Sequence, residues 1–193
     1  AIYACEQEEP PVLQITSSMD IGEHPGCNRG NIYILSNADS VKMYKNDRFI
    51  KEYRPEMSPY KHLKHGPILI DDFIGDALEK NERFRPKHAK EMADAMNIVA
   101  RGSLNHIPKR LYPTALKLVL LYHIDFAEVT KLYTKYIGDW GGTATVYRFD
   151  AIKNGKVIKS VTKEPVNGIR LQAEADHTNL TEHHSYDVAL VRI

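Results

Sequence analysis

Residues 31–53 read NIYILSNADSVKMYKNDRFIKEY, and the way this stretch breaks decides the fold. In its first run Ile32 and Ile34 alternate with Tyr33 and Leu35, so both faces are apolar. Ser36-Asn37-Ala38-Asp39 interrupts it. A second run, residues 40–45, puts Val41, Met43 and Lys45 on one face and Lys42 and Tyr44 on the other. Asn46-Asp47 is a turn pair. Residues 48–53 then set Phe49, Lys51 and Tyr53 against Ile50 and Glu52. Short β-rich runs separated by Asn/Asp turns predict a meander of three strands.

Working outward, residues 12–15 form a short strand candidate, and residues 16–30 read as loop, broken by Gly22, Pro25, Gly26 and Gly30. Residues 1–11 read as a linker or the tail of a preceding element, ended by Glu8-Glu9-Pro10-Pro11. After Tyr53 the period changes. A Pro-rich connector spans residues 54–67. In residues 68–79, Ile70, Phe73, Ile74, Ala77 and Leu78 follow the i, i+3, i+4, i+7, i+8 pattern of a one-faced helix. Pro86 opens a second helix, with Ala89, Met92, Ala93, Met96, Val99 and Ala100 inward and Gly102 at its end. Pro113 opens a third, with Leu116, Val119, Leu120 and His123 as its inward candidates. Asp125 caps a fourth, with Val129, Leu132, Tyr133 and Tyr136 inward and Gly138 closing it. Such one-faced helices need a surface to cover them, or each other in a small bundle.

The β pattern returns at Thr143. Asn154-Gly155 predicts a two-residue hairpin between residues 143–153 and 156–162. Residues 169–175 alternate cleanly. Residues 186–193 are apolar on both faces, which predicts a central strand. The class is therefore α+β, mainly β, divided as 1–56, a helical insertion over 57–140, and 141–193. The absent initiator Met, and a last strand that stops at Ile193, lead us to expect a segment of a longer protein.

A strand ending in Asn37-Ala38-Asp39-Ser40-Val41, followed by one carrying Tyr44-Lys45-Asn46-Asp47, resembles the immunoglobulin-like β-sandwich domains that follow the catalytic barrel in glycoside hydrolase family 2, the β-galactosidase and β-glucuronidase family. Residues 143–193 resemble the later strands of the same domain. The likeness covers roughly half of the chain. It implies an immunoglobulin-like β-sandwich, residues 12–53 plus 143–193, interrupted by an insertion of about four helices. It also implies a non-catalytic accessory region of a cytoplasmic bacterial enzyme, whose partner is the parent's catalytic barrel and whose surfaces leave an oligomer contact open.

Composition narrows the function classes. Lys+Arg number 26 against 25 Asp+Glu, a net charge of +1 with no basic run, so nothing concentrates charge for nucleic acid. No apolar stretch reaches the ~20 residues that span a bilayer; the longest, 116–122, is interrupted by Lys117. The first eleven residues lack the basic start and apolar middle of a signal peptide. Cys5 and Cys27 are no disulfide framework, and free thiols are expected.

The chemistry of a glycosidase is sought and not found. Family 2 enzymes use two glutamates on the barrel, the acid/base one following an Asn, and retention needs carboxylates about 5–5.5 Å apart. The one Asn-Glu pair is Asn81-Glu82, placed between two helices with no strand before it, and a solvated turn is the plainer reading. No catalytic residue is assigned. Asp71, Asp72, Asp76 and Glu79 could hold a hard cation, but a helix start with a solvated face is preferred. His62 and His65, and the adjacent His183-His184, lack convergent ligands, so no metal or cofactor is assigned. Asn179-Leu180-Thr181 matches a glycosylation acceptor, which means nothing without a secretory context. Gly138-Asp139-Trp140-Gly141-Gly142 is the most distinctive local feature. Trp140 with Tyr136 could stack on a sugar ring, making a carbohydrate-binding module; a Trp plugging the seam between helices and strands is the preferred alternative. An apolar helical face left open would instead mark an interaction module.

Overall fold

The computed structural model describes residues 2–20, 29–102, 109–122, 125–138, 145–164, 172–175 and 189–192. The fold is α+β. Strands β1 (Leu13–Ile15), β2 (Tyr33–Ser36) and β5 (Ile68–Leu69) form one antiparallel sheet in the order β1-β2-β5. Strands β3 (Ser40–Lys45), β4 (Arg48–Tyr53), β6 (Tyr147–Lys153) and β7 (Lys156–Lys163) form a second, in the order β4-β3-β6-β7. A further ladder joins β8 (Gln172–Ala175) to β9 (Ala189–Arg192). The helices are α1 (Ile2–Cys5), α2 (Ala77–Glu82), α3 (Pro86–Arg101), α4 (Tyr112–Tyr122) and α5 (Phe126–Tyr136). Among the described residues no helix is long and apolar enough to cross a membrane.

The opening stretch is not one meander. Strand β2 pairs with β1 and β5, whereas β3 and β4 belong to the other sheet. The chain changes sheets at Asn37-Ala38-Asp39, which explains why this break is polar yet buried at Asn37 and Ala38. Asn37 fills its side-chain capacity with backbone partners: Nδ2 donates to Gln7 O and Pro10 O, and Oδ1 accepts from Val12 N at 2.8 Å. Asp39 then ties the crossing to β6, its N–H donating to Ile152 O at 2.9 Å.

The β3–β4 hairpin also departs from simple alternation. Met43 faces Lys51 and Tyr44 faces Phe49, so Ile50 is the extra residue of a bulge. The bulge turns Ile50 and Tyr53 both into the core and leaves Phe49 half exposed. Two-residue turns close both hairpins of this sheet. Asn46 and Asp47 have φ of 48° and 60°, and Asn154 and Gly155 have 51° and 74°. Positive φ at both positions is the type I′ geometry that suits the right-handed strand twist.

The helical region both follows and corrects the periodic reading. Helix α3 runs as expected, from Pro86 at its first turn to the cap at Gly102, with Ala89, Met92, Ala93, Met96 and Ala100 buried. In α5, Asp125 accepts from Glu128 N at 2.6 Å, and Leu132 and Tyr133 are buried. The expected helix over residues 68–79 is largely absent. Residues 68–69 form β5, residues 70–76 form a buried crossing, and only residues 77–82 are helical. Asp72 explains the break: its Oδ1 accepts from Ile74 N at 2.9 Å and Gly75 N at 3.0 Å, a local turn that competes with helix. Ile70, Phe73 and Ile74 satisfy the helical spacing because the crossing itself is buried.

Helix α4 is the other correction. Leu116 and Leu120, expected inward, are each 60% exposed, and Tyr112 shares their face at 58%. An apolar-all-round helix offers no periodic contrast to choose between faces. Val119 and His123 lie outside the described side chains. Residues 2–5, expected as linker or tail, form α1, with Cys5 buried and its thiol free. Burial pushes that thiol above its ordinary pKa. Cys27 lies outside the described residues.

One core unites these parts. Ile15, Ile34 and Ile68 come to it from the first sheet, Met43, Tyr147 and Phe149 from the second, and Met92, Met96 and Leu132 from the helices.

Candidate functional site

Three of the residues singled out in the sequence meet at one seam, between the end of α2 and the end of α5. Ala77 and Leu78 bury the first turn of α2, which leaves Asn81 and Glu82 on its last turn. This pair is helical, not part of a connection; the helix stops one residue later, where Arg83 adopts φ 58°. Leu132, Tyr133 and Ile137 bury one side of α5, which turns Lys135 and Tyr136 toward α2.

The seam is a polar network. The Tyr136 hydroxyl donates to Glu82 Oε1 at 2.6 Å, and Lys135 Nζ donates to the same oxygen at 2.6 Å. Asn81 Nδ2 donates to the Tyr136 hydroxyl at 3.3 Å. Lys135 also stands over the Tyr136 ring, 5.3 Å from its centre. The hydrogen bond from Lys135, and then that from Tyr136, holds the Glu82 carboxyl below the usual glutamate range. Burial, and then the bond to Glu82, raises the Tyr136 hydroxyl. Glu82 is thus an ionised acceptor between an ammonium and a neutral phenol. A general acid needs the opposite environment, one that raises its pKa.

The C-terminus of α5 is fixed from below. Tyr133 O accepts both Ile137 N at 2.8 Å and Gly138 N at 2.9 Å. Lys45 Nζ, from the end of β3, donates to Tyr136 O at 2.8 Å. Arg29 Nη2 donates to Ile137 O at 3.0 Å. Two cations at the last carbonyls of a helix complement its dipole. Arg29 itself is buried between the rings of Phe73 and Tyr147, 5.3 and 5.2 Å from their centres, and its Nη1 donates to Met19 O.

The other candidates separate. Trp140 lies outside the described residues, as do His183 and His184. The four acidic residues of the 71–79 region do not converge. Asp71 pairs with Lys51 at 2.8 Å, Asp76 pairs with Arg48 at 2.6 Å and Lys80 at 2.5 Å, and Asp72 binds backbone amides. His62 meets Tyr60 edge-on, while the amide of His65 donates to Glu6. Burial first, then Lys64, holds the His65 ring below the ordinary histidine value. Among the described residues no group of three His, Cys, Asp or Glu side chains is arranged to hold a metal ion.

Sequence reasoning missed the residues that organise the fold. Asn37, Asn97 and Arg29 bind backbone groups far away in the chain, and Asp72 joins a local turn to Asn97. Asn97 Nδ2 donates to Asp72 Oδ1 at 2.9 Å, and its Oδ1 accepts from Phe73 N at 3.0 Å. The one available signal was Asn97 on the apolar stripe of α3, where a polar residue needs a partner.

In comparisons with known proteins, no family model and no curated relative matches the chain.

Proposed function

We propose that the chain is a non-catalytic accessory module of a β-galactosidase-like glycoside hydrolase of family 2, cytoplasmic and bacterial. In this reading it is an immunoglobulin-like β-sandwich carrying an insertion of about four helices. Its work is to support the catalytic barrel of the parent chain or to shape that barrel's substrate mouth. The observation that carries the reading is the pairing of β3 with β6, from Ser40 opposite Ile152 to Lys45 opposite Tyr147. It supports reading the helices between β4 and β6 as an excursion within a β fold.

The residues that carry the family likeness are also the ones that hold this pairing together. Asp39 Oδ2 accepts from Asn154 N at 2.8 Å, beside one hairpin. At the other end Asn46 N donates to Val146 O, and Asn46 Oδ1 accepts from Val146 N, both at 2.8 Å. The likeness therefore rests on residues with a structural task, which favours a shared fold over a chance match of turn residues.

The experiment is an assay of the chain against chromogenic β-galactoside, β-glucoside and β-glucuronide substrates. No turnover is expected. Turnover abolished in an Asn81→Ala, Glu82→Ala double variant overturns the reading. So does a coding sequence upstream that contains no barrel with paired glutamates.

A second reading is a carbohydrate-binding module. It is favoured by the gathering of an amide, a carboxylate, an ammonium and an aromatic ring at Asn81, Glu82, Lys135 and Tyr136. A saturable galactose or glucose isotherm, lost on Tyr136→Ala, selects it over the first.

A further inference from the structure

Residues 6–12 lie across the molecule in a way that apolar packing does not explain. Residues 6–10 are exposed, yet the Glu6 and Glu8 carboxylates and the carbonyls of Gln7, Glu8 and Pro10 are bound by residues remote in sequence. The Glu6 carboxylate accepts two successive amides of the 60–65 turn, Lys64 N at 3.2 Å and His65 N at 3.1 Å. Such paired amides form a concave anion site. The Glu8 carboxylate lies between Lys64 and Lys153, and Lys153 also donates to Glu8 O at 3.0 Å. Lys64, and then Lys153, brings the Glu8 carboxyl down to about 2. Asn37, 1% exposed, reads the main chain at Gln7, Pro10 and Val12. Ser36 Oγ donates to Val12 O at 2.8 Å, and Lys159 Nζ to Pro11 O at 3.3 Å.

This division of labour is that of a peptide-recognition site. Backbone groups are read by a buried amide and a hydroxyl. Two carboxylates, at positions i and i+2, are read by turn amides and by lysines. We propose that Asn37, Lys64, Lys153, Lys159 and the amides of the 60–65 turn form a binding site for an acidic peptide of the pattern Glu-x-Glu-x-Pro, held in the bent conformation of residues 6–10. Residues 6–12 fill it in cis, and the same sequence presented in trans competes for it. The inference is independent of the accessory-module reading. Because the segment is tethered, its effective concentration is in the millimolar range. An outside peptide binds detectably only when the cis segment is weakened. The carboxylate contacts are exposed, so salt screens them.

The test uses the full chain carrying Glu6→Gln and Glu8→Gln, which disarms the cis segment without removing it. A peptide of residues 1–12 with Cys5→Ser is added, and the Lys64 and His65 amide resonances are followed. Saturable shifts are expected, with affinity at least tenfold weaker when the peptide carries the same two Glu→Gln changes. No saturable shift, or binding indifferent to the peptide's glutamates, overturns the proposal. Should the double variant not fold, amide exchange in the unaltered chain decides. Val12, Lys64 and His65 are expected to exchange together, at least tenfold faster in 1 M NaCl, while the β3–β6 ladder stays protected. Exchange at those three amides only with the ladder overturns the proposal.

Discussion

Replacing Asn97 with alanine tests the least visible joint of the fold. Asn97 is 3% exposed on α3 and reaches the 70–76 crossing with both ends of its amide. The change strips the buried Phe73 amide of its acceptor. An unpaired buried donor costs about 1–3 kcal/mol. Asp72 Oδ1 loses one donor but keeps the amides of Ile74 and Gly75, so its loss is nearer to about 1 kcal/mol. Together the variant should be destabilised by about 2–4 kcal/mol. With a urea dependence of about 2–3 kcal/mol per molar, the unfolding midpoint falls by about 1 M. Circular dichroism at 222 nm across a urea series measures it. A midpoint within about 0.2 M of the parent refutes the claim that this amide joins α3 to the crossing. Asn97→Asp separates the two bonds: it keeps an acceptor for Phe73 but removes the donor to Asp72 and sets a second carboxylate against it, so its penalty comes from the Asp72 contact alone.

Gly155→Val places a β-branched residue at φ 74°, and a Cβ there meets nothing within 4 Å, so its cost of about 1 kcal/mol or more is backbone strain alone. Gly75→Ala combines φ 60° with a Cβ 3.1 Å from Ile50 O and should cost more; equal melting temperatures for the two variants refute the close approach of the crossing to β4. Leu132→Ala should lose about 2–5 kcal/mol in urea, as a buried truncation does, and Leu120→Ala under about 0.5 kcal/mol, since these side chains are 5% and 60% exposed. The contribution of the Glu82–Lys135 pair has a definite pH window. The folded Glu82 pKa is depressed, so its share is present above the ordinary glutamate range and lost as pH falls through the folded value. The folded Lys135 pKa is raised, chiefly by the bond it donates to Glu82, so its share is present below the ordinary lysine value and lost as pH rises through the folded one. Glu82→Gln should therefore cost stability at pH 7, and that cost should shrink as pH falls through the folded Glu82 value; a cost unchanged across the acid range refutes the ion pair.

Legibility in the sequence followed the range of the interaction. The Asn154-Gly155 turn, the Asp125 cap and the stripe of α3 are local devices, and each was read correctly from its neighbours alone. Most of the failures involve a residue whose partner is distant; α4 is the exception, where an apolar-all-round sequence gives no contrast between faces. Spacing at Ile70, Phe73 and Ile74 mimicked a helix, because nothing nearby tells that Asn97 and Asp72 hold those residues in a buried crossing. The bulge at Ile50 depends on β3, and the change of sheet at Asn37 depends on residues 7–12. At the candidate site, Tyr136 was found as an aromatic near a Gly-rich junction. Its partner, Glu82, reads in the sequence as part of a solvated turn between helices, whereas it lies on the last turn of α2. Helical spacing could place each residue on its own helix, but no periodicity says which two helices share a seam.

The contacts at the end of α5 bear on whether the helices are a unit of their own. A self-contained bundle would cap its helices from within and bury its stripes against one another. Here the last carbonyls of α5 accept from Lys45, which lies on β3, and from Arg29. The Arg29 guanidinium lies between Phe73 of the crossing and Tyr147 of β6, and its backbone N–H donates to Ala100 O near the end of α3. A single buried cation therefore touches two helices, the crossing and the second sheet. Removing its side chain takes the guanidinium donor from the Met19 and Ile137 carbonyls and opens the space between two rings. Leaving such groups buried costs more than a lost surface contact. The loss of strand and helix signals should then coincide on unfolding, because neither part can withdraw from the other without exposing that site. A helical signal that melts before the β signal would place the boundary between two cooperative units at Arg29.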